Sequence, residues 1–215
     1  MEIKAGKVTD PRDGRIYKTV KINNQEWMAE NLNVSKYCNG DPISNIQDDA
    51  KWGEGRAGAY CYYNNDPENK EKYGKLYNWY TVNDPRGLAL KGWHIPSDAE
   101  WKELEMYLGM SQREADKVGW RGNDEGCKLK ETGILHWKEP NECATNQSGF
   151  TALPGGYRDV SGDFYVNTYS GYWWSTTEAD SDFIWYRTLY HTSNKIHRKK
   201  GYIGDGFSVR CLRNI

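Results

Sequence analysis

Four histidines, five cysteines and thirty carboxylates are the side chains of this chain best suited to acid–base, nucleophilic or metal chemistry. His94, His136, His191 and His197 form no His-x-x-x-His or His-Glu-x-x-His pair, the spacings that set imidazoles on one helix face around zinc. His191 and His197 fit no common metal spacing either, but both lie between late strands and can face a ligand. His94, beside Trp93, reads as a structural residue. Glu178, Asp180 and Asp182 cluster on a loop, where carboxylates usually meet solvent rather than flank a scissile bond. No Gly-x-Ser-x-Gly elbow and no phosphate-cradling Gly-rich loop is present. Nothing here assembles a catalytic centre.

The cysteines, Cys38, Cys61, Cys127, Cys143 and Cys211, lie far apart with no Cys-x-x-Cys pair, so zinc ribbons and thioredoxin-like motifs are unsupported. Two disulfides with one thiol left over suit an oxidising compartment, and five buried thiols suit a reducing one. Spacing does not choose the pairs. Cys127 with Cys143, closing a short loop, is the first to expect.

Charge narrows the partners. The 29 basic and 30 acidic residues nearly cancel, to a net charge of −1, which argues against nucleic acid. The one dense basic run, Lys195-Ile-His-Arg-Lys-Lys200, reads as a solvated turn. No stretch approaches the ~18 apolar residues that cross a bilayer. No signal peptide follows Met1-Glu2-Ile3-Lys4, so for an exported domain the leader is absent from this stretch. Hydrophobic residues make up only 37% while ten are Trp and sixteen Tyr. A core must therefore be built from rings, whose polar edges also suit a binding face.

The elements that must position these residues read as follows. Arg15–Ile22 and Gln25–Met28 form a strand pair turning at Asn23-Asn24, after a turn at Asp10-Pro-Arg-Asp-Gly14 that lacks the alternating oxygens of a calcium loop. Residues 36–75 are irregular apart from a short aromatic strand at Tyr60–Tyr63, and a short helix is expected over Leu76–Val82. Ser97-Asp-Ala-Glu100 is a capping box, with Trp101, Leu104 and Leu108 on one face and Gly109 as the stop. A second box, Ser111 to Glu114, opens a helix through Val118. Later come a bend at Pro154-Gly-Gly156, a hairpin turn at 159–163, and strands over Tyr172–Ser175, Phe183–Tyr190 and Gly206–Leu212. Trp173 and Trp174 belong to the core, with an indole N–H on a carbonyl. Residues 1–215 read as a single domain of the α+β class.

Several blocks carry a family likeness: Tyr17-Lys-Thr-Val-Lys-Ile22 with Gln25-Glu-Trp-Met-Ala-Glu-Asn-Leu32, Tyr73-Gly-Lys-Leu-Tyr-Asn-Trp79, Gly92-Trp-His-Ile-Pro-Ser-Asp-Ala-Glu-Trp101, Gly149-Phe-Thr-Ala-Leu-Pro-Gly-Gly-Tyr-Arg158, Tyr172-Trp-Trp-Ser-Thr-Thr-Glu178 and Gly206-Phe-Ser-Val-Arg-Cys-Leu-Arg213. In this order they resemble the Fibrobacter succinogenes major paralogous domain family. More distantly they resemble formylglycine-generating enzymes and the variable proteins of diversity-generating retroelements. The resemblance implies a C-type-lectin-like fold, two helices flanking a twisted, mostly antiparallel sheet with long irregular loops. It also implies a bacterial secreted or cell-surface protein, often lipid-anchored, at the outer surface. Fold alone does not fix function.

In related lectin-like proteins the ligand face lies between the Trp-Trp-Ser block and the final Gly-Phe strand. Here that segment supplies Tyr186, Tyr190, His191, Ser193, Asn194, His197 and Tyr202, a mixture giving contact area and adaptable hydrogen bonds. The expectation is a non-catalytic domain that binds carbohydrate or protein through an aromatic face and needs no cofactor. Calcium is the one alternative, through Glu139-Pro140-Asn141, although no Trp-Asn-Asp strand follows it. Two rivals are a metal-dependent oxidase of the formylglycine-generating type and a purely structural module. The oxidase needs a reactive thiol pair near the C-terminus, where only Cys211 stands.

Overall fold

A computed structural model describes residues 4–215. It opens with antiparallel strands β1 (Lys4–Thr9), β2 (Ile16–Ile22) and β3 (Gln25–Met28). β2 and β3 turn at Asn23-Asn24 as expected, with Asn23 at φ 56°, which asparagine tolerates. Val20 pairs with Trp27, and both are buried. β1 was not expected, because Lys-Ala-Gly-Lys-Val-Thr lacks a clear alternation. It is an edge strand held by backbone pairing with β2.

Residues 36–75 hold more structure than their composition suggests: β4 (Ser44–Asn45), α1 (Asp49–Glu54), β5 (Ala59–Cys61) and α2 (Pro67–Tyr73). These helices are too short to show a period and are marked by caps instead. Asp48 accepts from the N–H of Lys51, and Asp66 from that of Glu68. The helix expected over Leu76–Val82 is divided into β6 (Leu76–Tyr77) and α3 (Trp79–Val82). Asn78 makes the division: its side chain accepts from the N–H of Thr81 at 3.1 Å and caps α3.

α4 (Asp98–Tyr107) starts at the expected box. Ser97 Oγ accepts from the N–H of Glu100 at 3.2 Å, and Glu100 Oε2 accepts from the N–H of Ser97 at 2.8 Å. α5 (Gln112–Ala115) stops short of Val118. Ser111 caps it, but the Glu114 carboxylate turns to Lys117 and Gly122 rather than back, so the box is half formed. β7 (Gly119–Arg121) and α6 (Glu125–Leu129) follow, where no helix was expected. The disulfide joins Cys127 to Cys143, the pair expected first; Cys38, Cys61 and Cys211 are free.

β8 (Tyr157–Arg158) and β9 (Phe164–Tyr165) flank the 159–163 turn. β10 (Ser170–Glu178), β11 (Phe183–Tyr190) and β12 (Ile196–Tyr202) then form a four-stranded antiparallel sheet in the order β10-β11-β12-β7. β12 corrects the reading of Lys195–Lys200 as a solvated turn. It is an interior strand, and Arg198 is buried against Asp98. The Gly206–Leu212 strand is also corrected. Residues 206–211 thread past several partners, bridging Arg158, Tyr77 and Trp173 one at a time, and only β13 (Leu212–Asn214) pairs regularly, with β3.

The architecture is α+β with mostly antiparallel sheets, and the described residues form six short α-helices and four sheets. Trp173 and Trp174 point to opposite faces of β10 and enter different core clusters. Trp174 donates to the Tyr77 carbonyl at 2.7 Å and Trp173 to Asn31 Oδ1 at 2.9 Å. Beneath the β10–β7 sheet lies a buried ion network. Arg187 and Arg198 donate to Asp98 at 2.7 and 2.8 Å, while Arg187 and Arg121 each reach Glu105 at 2.6 Å.

Candidate functional site

The register of the β10–β7 sheet sorts its side chains. Tyr186 lies opposite Trp174 and Lys199, Thr188 opposite Tyr172 and His197, and His197 opposite Trp120. Directly opposed residues share a face. Arg187 and Arg198 therefore turn towards α4, and Tyr172, Tyr186, His197, Lys199 and Trp120 turn the other way.

At the β11–β12 end of that outer face is a concavity of about 370 Å³. Its walls are the rings of Tyr157, Tyr172, Phe183, Tyr186, Tyr202 and Phe207. The Tyr186 and Phe207 centroids are 4.7 Å apart, those of Tyr157 and Tyr172 4.6 Å, and Phe183 meets Tyr202 edge-on at 5.9 Å. Gly201 lines the same concavity, and a Cβ there would lie 2.7 Å from Phe207 and 2.9 Å from Tyr186. The missing side chain lets both rings pack directly against the β12 backbone.

Polar groups enter at the edge. Asp205 Oδ2 accepts from the N–H of Tyr202 at 3.0 Å and Oδ1 from that of Val160 at 3.1 Å. Burial pushes its carboxyl up to about 6, against those two bonds. Lys199 lines the concavity and is exposed, while Lys200 pairs with Asp180 at 3.0 Å. Burial raises the Tyr172 phenol to about 12 and that of Tyr186 well above its ordinary value, so both stay neutral. The result is an apolar, ring-walled cup with polar groups around it.

The expected ligand residues divide. Tyr186 and Tyr202 meet in the cup. Tyr186 does not stand out into water, however: it is only 7% exposed, because Phe207 from the 206–211 thread packs on its ring. That corrects the expectation of an open phenol, and the ring forms wall. Tyr202 is half-buried. His197, also half-buried, stacks on Trp120 at 4.6 Å, outside the cup, and burial lowers its pKa. His191 is a second correction, being 8% exposed with Nδ1 3.1 Å from the Glu139 carbonyl oxygen. It braces a loop rather than facing a ligand. Tyr190 packs edge-on against it at 4.7 Å. Ser193 and Asn194 make the turn into β12, and their carbonyls accept from Lys130 Nζ and the N–H of Gly126, both at 3.0 Å.

Tyr157, Tyr172, Phe183, Lys199, Asp205 and Phe207 were not singled out. Had Lys195–Lys200 been read as a strand, its alternation would have placed Lys199 beside Tyr186.

The remaining candidate residues resolve simply. His94 Nε2 lies 2.5 Å from Glu100 Oε1, whose second oxygen serves the α4 cap. Glu139-Pro140-Asn141 is spent on its own loop: Asn141 Nδ2 donates to the carbonyls of Glu131 and Gly133 at 2.8 and 2.6 Å. Among the described residues no group of three or more His, Cys, Asp or Glu is placed to hold a metal. Cys211 is sealed in the core, where burial pushes its thiol up to about 12, far from the low pKa of reactive thiols. No helix among the described residues is long and apolar enough to cross a membrane.

Compared with known families, the model of the Fibrobacter succinogenes major domain matches residues 20–213. No curated protein and no solved structure matches the chain.

Proposed function

The chain belongs to the Fibrobacter succinogenes major domain family, and we propose that it is a non-catalytic carbohydrate-recognition domain with a C-type-lectin-like fold, secreted or displayed at the outer cell surface. The ring-walled cup carries this reading. Its volume of about 370 Å³ lies in the lower part of the ~300–1,000 Å³ range of small-molecule sites, which are mostly apolar with a few placed polar groups. A sugar offers C–H groups to the electron-rich face of a ring and hydroxyls to the polar rim. Lys199, Asp205 and the phenol hydroxyls supply that rim. A narrow cup suits a sugar better than a protein surface, which calls for a broad flat patch.

Absence of catalysis is proposed on the same geometry. Asp205 is the one carboxylate of the cup, and its two oxygens are held by backbone N–H groups, whereas glycoside hydrolysis takes two carboxylates. The formylglycine-type oxidase loses support because Cys211 is buried. The Cys127–Cys143 disulfide suits an oxidising compartment, which favours an exported, lipid-anchored or adhesive protein.

The test is an oligosaccharide array followed by titration calorimetry. Some glycan binds the native chain, and Tyr202→Ala, which alters only a half-buried rim ring, weakens that binding about tenfold or more. An array with no binder would leave a structural module as the better reading.

A further inference from the structure

Tyr202 has a second side. Its ring meets Phe183 in the cup, while its hydroxyl lies 3.3 Å from Arg56 Nη1; the same nitrogen lies 3.4 Å from the Tyr80 hydroxyl. Arg56, in the loop between α1 and β5, lines a neighbouring concavity of about 290 Å³ with Trp79, Tyr80, Asp84 and Arg86. The two spaces adjoin across the Tyr202 side chain.

Charge in this second space is unbalanced. Asp84 is its one carboxylate, and hydrogen bonds from Arg86 hold it down at about 2. Arg86 Nε and Nη2 each reach Asp84 at 2.8 Å. Arg56 has no such partner: among the described residues no carboxylate lies within 4.0 Å of it, and its side-chain hydrogen bonds go to two phenol oxygens. A guanidinium carries five N–H donors in a planar fork that matches a carboxylate. Trp79 and Tyr80 line the same space and give it ring walls.

We propose that the ligand is an acidic oligosaccharide, with one sugar in the ring-walled cup and the carboxylate of a neighbouring uronate on Arg56. The inference rests on the carbohydrate reading above and names its substrate class. Lys199, exposed at the cup, adds positive charge beside it.

The experiment uses the full chain and two matched probe sets: oligomers of galacturonate, glucuronate and mannuronate, and the same oligomers with their carboxyls reduced to neutral hexoses. For the oligomer that fits, the acid binds about tenfold tighter than its reduced counterpart, the worth of one charge-assisted contact. In Arg56→Gln that ratio falls to about one, in Arg56→Lys it is partly kept, and added salt lowers it in the native chain. Arg56 is exposed, so unchanged thermal melting verifies that the variants fold. Acid and reduced oligomers binding alike, or a ratio that survives Arg56→Gln, would overturn the acidic ligand and leave carbohydrate recognition standing. Failure of every acidic and neutral glycan to bind would remove both.

Discussion

Asp98 is buried and Asp205 half-buried, and their surroundings shift them in opposite directions. Burial would raise Asp98, but the hydrogen bonds and charges of Arg198 and Arg187 outweigh it and hold the carboxyl well below its usual range. The unfolded chain then binds the proton more readily than the folded one, so this stabilisation is present at neutral pH and is lost as pH falls below about 4. Asp205 is the reverse case. Burial raises it to about 6, so the folded state holds the extra proton between about 4 and 6, and its contribution falls as pH rises through that window. Urea denaturation from about pH 2 to about pH 7 checks both. Asp98→Asn is expected to cost about 3–5 kcal/mol at pH 7, since the buried Arg198 loses its counter-charge and Arg187 keeps only Glu105, which it shares with Arg121. The native chain should lose stability relative to Asp205→Asn between pH 4 and 6. A native curve parallel to that of Asp205→Asn would refute the assignment.

Among the elements, α4 and α6 are held in different ways. The α4 start rests on the Ser97 box, so Ser97→Ala should lower stability by about 1 kcal/mol in chemical denaturation. α6 is a short helix that needs outside anchors. The Cys127–Cys143 bond crosses a sequence separation of 16, and a loop of that size contributes about 3 kcal/mol by restricting the unfolded chain. Cys127→Ser with Cys143→Ser should therefore lower stability by about that amount, and a reductant should change the native chain but not the double variant. Lys130, just past α6, is a second anchor. Its Nζ donates to the carbonyls of Glu142, Tyr190 and Ser193, and burial lowers its pKa to about 8. Legibility followed the same division. The α4 box and the full extent of β11 could be read from sequence because a cap pattern and an unbroken alternation are local signals. β12 could not, because Lys, His and Arg on alternate positions look like a solvated loop until Asp98 is brought against Arg198 from 100 residues away.

For the molecule as a whole, the ring-walled cup is a meeting of β8, β10, β11, β12 and the 206–211 thread. Ligand binding should therefore stabilise the fold globally: at a concentration 100 times Kd the gain is about 2.7 kcal/mol, visible as a higher melting temperature. Gly201→Val places a side chain between Tyr186 and Phe207 and should abolish that increase. An equal increase in Gly201→Val would move the binding site elsewhere.

By itself the sequence determined the material and the local grammar of this protein: a core of rings, an α+β mixture, the Ser97 cap, the Asn23-Asn24 turn, the burial of Trp173 and Trp174, and the family. It also marked the Tyr186–Tyr202 stretch. Only the tertiary structure decided which of those rings meet. Alternation along a strand tells which side chains share a face, but not what lies over that face. Phe207 closes over Tyr186 and Glu139 reaches His191 from segments that no strand pattern connects to them, and those long-range contacts separate wall from brace.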